Sequence, residues 1–314
     1  MTRPNDSKLQ LHELLAVEER ARKLLDRASA WDRFPTPVED ILGAARLTVA
    51  PRGFFDPRRI LDFAKNRARD AQGFLKNAIS KVWALYDTEE NVIHIDDNVL
   101  GSKQTFLKLH ETGHHELPAH RRIFRFFQDC EKTLAPETAD LFEREANNFA
   151  RFCLFQGDAY AKRAADCSFE IKTPIKLATT FGASVYASAR EFARTNARAC
   201  AVYVLEPIEF VAGKGAQARV RRIEASPLFR LQFGEPSDTY IDLDHVLGPV
   251  LPIGRRMTKP RSVGIKDANG TLHDSVAEAF DTKWNVFILL YPVRALTAST
   301  VILPTQGAHP PSIA

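Results

Sequence analysis

The chain has few cysteines: Cys130, Cys153, Cys167 and Cys200 lie at wide spacings and none belongs to a CxxC pair. That scarcity excludes a disulfide framework and a cysteine-based metal site, leaving reduced thiols that serve as small buried hydrophobes. Long apolar runs are also missing. The longest, residues 284–293, falls well short of the ~20 needed to cross a bilayer. The first thirty residues alternate apolar and charged positions, unlike the unbroken apolar core of a signal peptide. A cytoplasmic protein with no membrane partner is the expectation. Neither charge sign dominates: 43 basic and 39 acidic residues are interspersed and give +4, a balance that demands no nucleic-acid partner. With 15 Gly and 18 Pro in 314 residues and no internal repeat, collagenous and low-complexity classes are excluded. What is present is a 45% apolar composition with 21 Phe, enough for a folded body of about two compact units.

The pattern predicts an α+β chain. Residues 9–28 read as an amphipathic helix, with Leu11, Leu14, Leu15, Leu24 and Leu25 at helical spacing. A short helix over 38–45 leads into the β-rich Leu47-Thr48-Val49, and basic helical sequence covers 57–76. Extended stretches at 81–86 and 91–96 flank a polar turn and predict a β-hairpin. Residues 103–116 form a Pro-free helix that Pro118 ends, and further helices are expected over 121–132 and 136–166. Residues 173–194 have the outline of a helix-turn-helix. Beyond 200 the texture becomes β-type at 200–211, 218–223, 229–233, 261–265 and 286–293, with a hairpin turn at Asp267-Ala268-Asn269-Gly270. The expected division is an N-terminal helix (1–34), a mainly helical unit with a small sheet (35–165), a helix-turn-helix-like segment (166–200) and a C-terminal mixed α+β unit (201–314). Residues 306–314 read as a frayed tail.

The segment that carries chemistry is His110-Glu111-Thr112-Gly113-His114, an HExxH on a predicted helix. Residues four apart on a helix lie one turn from each other, so both imidazoles can reach one cation. Glu111, beside the first ligand, is placed to take the proton of a metal-bound water as it attacks a carbonyl. Such a site needs a third protein ligand, and two imidazoles with one carboxylate favour zinc. On the following helix Glu143, Ala146, Asn147 and Ala150 share a stripe whose small residues permit close approach. Glu143 is therefore the expected ligand. Glu145, about 200° round the helix, is the reserve.

Four other groups invite a role. His115 points about 100° away from the metal face, as a supporting or surface residue. His94 sits in an extended stretch that either edges a cleft, where a peptide lays an added strand, or packs across the sheet. His120, just after Pro118, reads as a turn residue. Tyr86, His94, His120 and Tyr160 are all able to donate to an oxyanion, and the sequence does not choose among them.

With these residues in hand, the chain resembles the ImmA/IrrE family of zinc metallopeptidases. The family pattern is HExxH with Gly before the second His, then E-x-x-A-N-x-F-A, and the chain reads His110-Glu111-Thr112-Gly113-His114 and Glu143-Arg144-Glu145-Ala146-Asn147-Asn148-Phe149-Ala150. The likeness spans roughly residues 35–165. It implies a zincin-like fold for that unit, zinc held by His110, His114 and Glu143, and Glu111 as general base. It further implies cleavage of a helix-turn-helix transcriptional repressor, often in the service of a mobile element. The chain departs from the family after Ala150: it reads Arg151-Phe152-Cys153-Leu154-Phe155-Gln156-Gly157-Asp158 where a leucine-rich segment ending in Met-Pro is common. An Arg- and Phe-rich stretch over 121–137 reads as an inserted lid or specificity element. The competing expectation is a regulatory protein that binds DNA or a repressor, with a structural or sensory metal site. There Arg190, Arg194 and Arg198, four residues apart, would meet phosphate or form a solvated face. A toxin component of a mobile element is a third role compatible with the same residues.

Overall fold

The computed structural model describes residues 8–51, 84–87, 91–95, 99, 101–121, 136–213 and 215–294. Helix α1 (Leu11–Arg27) buries Val17, Ala21, Leu24 and Leu25, while Leu11 and Leu15 are exposed, so its inner stripe is shifted from the one the leucines suggested. Helix α2 (Val38–Ala45) ends on Arg46 in the left-handed conformation and feeds β1 (Thr48–Val49). Strands β2 (Ala84–Asp87) and β3 (Val92–Ile95) form the predicted hairpin. β1 joins β3 in parallel, giving a three-stranded sheet of order β1-β3-β2. The expected helices at 57–76 and 121–132, Cys130 and the C-terminal tail lie outside the described residues.

Helices α3 (Gly101–Glu116) and α4 (Pro136–Phe155) follow, and α4 also packs against α1. The helix predicted over 136–166 is two helices, with α5 (Ala159–Ala165) after a sharp break. Gln156 and Gly157 take φ of 51° and 62°, a conformation that ends a helix. The Gly157 N–H closes the turn onto the Phe152 carbonyl at 3.0 Å. The Gln156 side chain is held from across the chain, accepting from the Asp32 N–H at 2.7 Å and donating to the Arg33 carbonyl at 2.8 Å. Sequence periodicity does not register such distant partners.

Helices α6 (Lys172–Phe181) and α7 (Val185–Arg194) are separated by Gly182, at φ 69°, and by Ser184, whose hydroxyl caps α7. The second sheet has seven antiparallel strands: β4 (Ala201–Leu205), β5 (Glu209–Val211), β6 (Gly215–Ala225), β7 (Tyr240–Asp242), β8 (Arg261–Lys266), β9 (Leu272–Asp281) and β10 (Val286–Pro292). Their order is β5-β6-β4-β10-β9-β8, with β7 also beside β6. Residues 229–233, expected as a strand, lie in helix α8 (Pro227–Phe233): Pro227 starts it and the Ser226 hydroxyl accepts from the Phe229 N–H. Strand β9 was not anticipated, although the turn before it was, with Gly270 at φ 84°.

The two faces of this sheet feed two cores. Val202, Val204, Phe287 and Leu289 join the helical cluster, whereas Tyr203, Leu205, Ile288 and Leu290 belong to a second cluster with Phe229, Ile241 and Val250. A sheet covered on both sides has little room for polar alternation, which explains its continuous apolar runs. The fold class is α+β, and among the described residues no helix is long and apolar enough to cross a membrane. Cys153, Cys167 and Cys200 are unbridged, and Cys153 and Cys200 are buried in the core.

Candidate metal centre

Helix α3 is tied by ion pairs at its middle and at its C-terminal end. Lys108 pairs with Glu39 of α2 at 2.5 Å, and Glu116 with Arg27 of α1 at 2.6 Å. Its last two turns, Leu109 to His115, are almost wholly buried. Gly113 lets α4 approach: a Cβ there would stand 3.2 Å from the Ala146 Cα and 3.2 Å from the Phe149 Cβ. Ala146, one of the small residues read from the sequence, thus meets Gly113 where the two helices come together.

That approach brings His110, His114 and Glu143 together, with ligand atoms all within 4.8 Å of one another. The two Nε2 atoms are 3.2 Å apart. Glu143 Oε2 is 3.4 Å from His110 Nε2 and its Oε1 3.5 Å from His114 Nε2. Tetrahedral zinc with bonds of about 2.0–2.1 Å has ligand–ligand edges of roughly 3.3 Å, so the triangle has the size the ion requires. Among the described residues, the buried His110 Nδ1 atom meets no hydrogen-bond partner. The imidazoles are at most 11% exposed, but the Glu143 side chain is 60% exposed, so the triangle opens to solvent on the carboxylate side. Two imidazoles and one carboxylate with an accessible side are a donor set that could hold a metal ion.

The electrostatics follow from this packing. Burial lowers the His114 pKa to about 4, and its neighbours His110 and His120 push the same way against the opposing pull of the Glu143 carboxylate. At His110 burial is opposed by the hydrogen bond and charge of Glu143 and by the charge of Glu111, and the net shift is upward. Burial would raise the Glu143 pKa, but the two histidines beside its carboxylate outweigh that and hold it well below the ordinary carboxylate range. Glu143 therefore stays ionised at any physiological pH. Glu111 is buried, 9% exposed, close enough to His110 for its charge to act there.

Glu145, the reserve ligand, is absent from the triangle. Its Oε2 lies 2.6 Å from His120 Nε2, and His120 Nδ1 lies 3.0 Å from His114 Nδ1. His120 is not a turn residue: the chain resumes helical structure at 118–121, and the imidazole is fully buried and stacked on Phe142 with centroids 3.9 Å apart. Its position depends on residues 22 and 25 further along the chain, so no local pattern marked it. A buried His one and a half helical turns beyond the motif was the available signal.

The remaining candidates fall elsewhere. His94 is on β3, the central strand of the described sheet, opposite Leu85 of β2, while β1 pairs with β3 at Val92 and Ile93, so β3 is not an edge strand of that sheet. Tyr160 is fully buried, with its hydroxyl 2.7 Å from both the Ser188 carbonyl and hydroxyl, and is committed to the helical core rather than to an oxyanion. The side chain of Tyr86 lies outside the described residues. His115 is buried, not on the surface, and outside the metal triangle. Arg190 and Arg194 form neither a solvated face nor a phosphate-binding row: both pair with Glu224, at 3.3 and 2.7 Å, where α7 packs on the sheet. The Arg198 guanidinium lies 5.1 Å from the Phe169 ring centre. A concavity of about 430 Å³ in the sheet half, lined by residues including Tyr203, Phe233, Asp238 and His245, contains none of the residues singled out from the sequence.

No protein-family model and no curated protein matches the chain. Among solved structures it is similar to a Mycobacterium tuberculosis transcriptional regulator, at 11% identity over 90% of this chain and 76% of that one, with a TM-score of 0.47. A likeness at that level carries no argument about function.

Proposed function

We propose that the chain is a cytoplasmic zinc-dependent endopeptidase of the ImmA/IrrE type, with a zincin-like helical unit and a repressor-type transcription factor as its protein substrate. The observation that carries this reading is the convergence of His110, His114 and Glu143 at zinc-ligand separations, with Glu111 next to the first ligand. Zinc held there supplies a Lewis acid that polarises the scissile carbonyl and acidifies water to a pKa of about 7.

The chain's own residues account for the rest. The two imidazoles bind as neutral donors, and the ionised Glu143 offsets part of the metal's charge. Glu111, a carboxylate in a mostly buried setting, accepts the proton of the attacking water and returns it to the departing amine, so that one peptide bond and one water yield a carboxylate and an amine. Exposure of Glu143 leaves the open side of the triangle accessible to an extended substrate segment.

The direct experiment incubates the purified chain with helix-turn-helix repressor-type proteins as candidate substrates. Zinc-dependent cleavage that disappears in Glu111→Gln, with metal content unchanged, is the expected result. Cleavage unaffected by that substitution removes Glu111 from the mechanism. A wild-type chain that binds no zinc contradicts the reading altogether.

A further inference from the structure

Only one tautomer of His114 serves the proposed site. Its Nε2 faces His110 and Glu143, so this nitrogen must present a lone pair, and the ring proton must sit on Nδ1. Nδ1 in turn faces His120 Nδ1 at 3.0 Å, in a pocket where His120 has no exposed surface. Which of the two nitrogens carries the proton depends on the far side of the His120 ring.

His120 Nε2 is 2.6 Å from Glu145 Oε2, and a carboxylate only accepts. With the imidazole carrying a single proton, this contact places that proton on Nε2, donated to Glu145. Its Nδ1 is then an acceptor, so His114 donates from Nδ1, and His114 Nε2 is left with a lone pair aimed at the metal position. The opposite assignment places a proton between His114 and the ion. Phe142, stacked flat on His120 at 3.9 Å and 21°, and positioned one residue before Glu143, keeps the ring from turning over.

We propose that Glu145 and His120 are positioning residues that act in series on His114, the carboxylate fixing the tautomer of one imidazole and that imidazole fixing the next. This inference rests on the zinc reading above. It assigns Glu145 a function distinct from ligation and extends the familiar carboxylate–histidine support of a metal ligand by one ring.

The test measures Zn²⁺ and Co²⁺ affinity of the full-length chain by competition with a chelator, together with the tautomer of His114 by ¹⁵N NMR on the metal-free chain. His120→Phe keeps the ring and its stacking but removes the acceptor, and Glu145→Ala removes the carboxylate. Each is expected to weaken metal binding by roughly 10–100-fold. His120→Asn places an amide oxygen where Nδ1 stood and is expected to recover most of that loss, a pattern that a merely space-filling role does not give. His114 is expected with its proton on Nδ1 in the wild type. Equal affinity in wild type, His120→Phe and Glu145→Ala, or a His114 proton on Nε2, overturns the positioning role and leaves the zinc reading intact. A wild-type chain that takes up neither ion overturns the zinc reading and this inference with it.

Discussion

In two regions of this molecule a carboxylate sits among cationic or potentially cationic side chains, and the outcomes are opposite. At the junction of α7 with the sheet, Glu224 is 4% exposed and is met by Arg190, Arg194 and Arg230 at 3.3, 2.7 and 3.4 Å. At the junction of α3 with α4, Glu143 meets His110 and His114 at similar distances. Guanidinium has five donors and no lone pair, so the arginines of the first cluster can pair with Glu224 but cannot ligate a metal ion. Imidazole carries a lone pair when neutral, so the second cluster can exchange a proton for a metal ion. The first is structural and the second is suited to chemistry, and the residue type facing the carboxylate decides which.

Exchanging the roles experimentally gives effects of decreasing size. Glu111→Gln is expected to reduce cleavage of a repressor-type substrate by about 10²–10⁴-fold, the usual contribution of a general base, with zinc retained. Glu143→Ala is expected to weaken zinc binding by on the order of 10²–10³-fold, one ligand's share of the ~10–16 kcal/mol typical of a four-ligand site, with the metal-free melting temperature nearly unchanged. Glu224→Ala inverts this pattern. It leaves arginines without their partner, so a stability loss of about 3 kcal/mol is expected with no change in zinc affinity. If chemical denaturation finds Glu224→Ala harmless and Glu143→Ala unfolding, the contrast between the clusters is wrong.

A pH titration sharpens the same comparison. Burial raises the Glu224 pKa, but Arg194 and Arg190 outweigh it and hold the folded value below its ordinary 4.5. A carboxylate depressed in the folded state contributes stability that is present above its unfolded pKa and is lost as pH falls through the folded value. Wild-type stability is therefore expected to decline below pH 4.5, and the decline is expected to be shallower in Glu224→Gln, as read by urea midpoints across that window. The smallest expected effect belongs to helix packing: Gly113→Val drives side-chain atoms toward the Ala146 backbone and is expected to cost about 2 kcal/mol while loosening the metal triangle.

The sequence made the metal triangle legible because its parts are local. His110 and His114 are one turn apart, and Glu143 belongs to a stripe with Ala146 and Ala150 whose smallness announces a close helix contact. The hairpin of β2 and β3, the turn at Asp267-Ala268-Asn269-Gly270 and the short helix α2 were legible for the same reason. What was missed depends on distant partners. The break at Gln156 is held by Asp32 and Arg33, His120 is placed by Glu145, and the arginine row is neutralised by Glu224 from another element. Residues 229–233 were misread because their apolar content outweighed the Ser226-Pro227 start signal just before them.

The central claim is that two imidazoles and one carboxylate hold a zinc ion. X-ray absorption at the zinc edge of the purified full-length chain tests it most directly. The account predicts a shell of nitrogen and oxygen at about 2.0–2.1 Å with the multiple scattering of imidazole rings, lost in His110→Ala/His114→Ala. A shell containing sulfur at about 2.3 Å, or a chain that retains its zinc in that double variant, contradicts it.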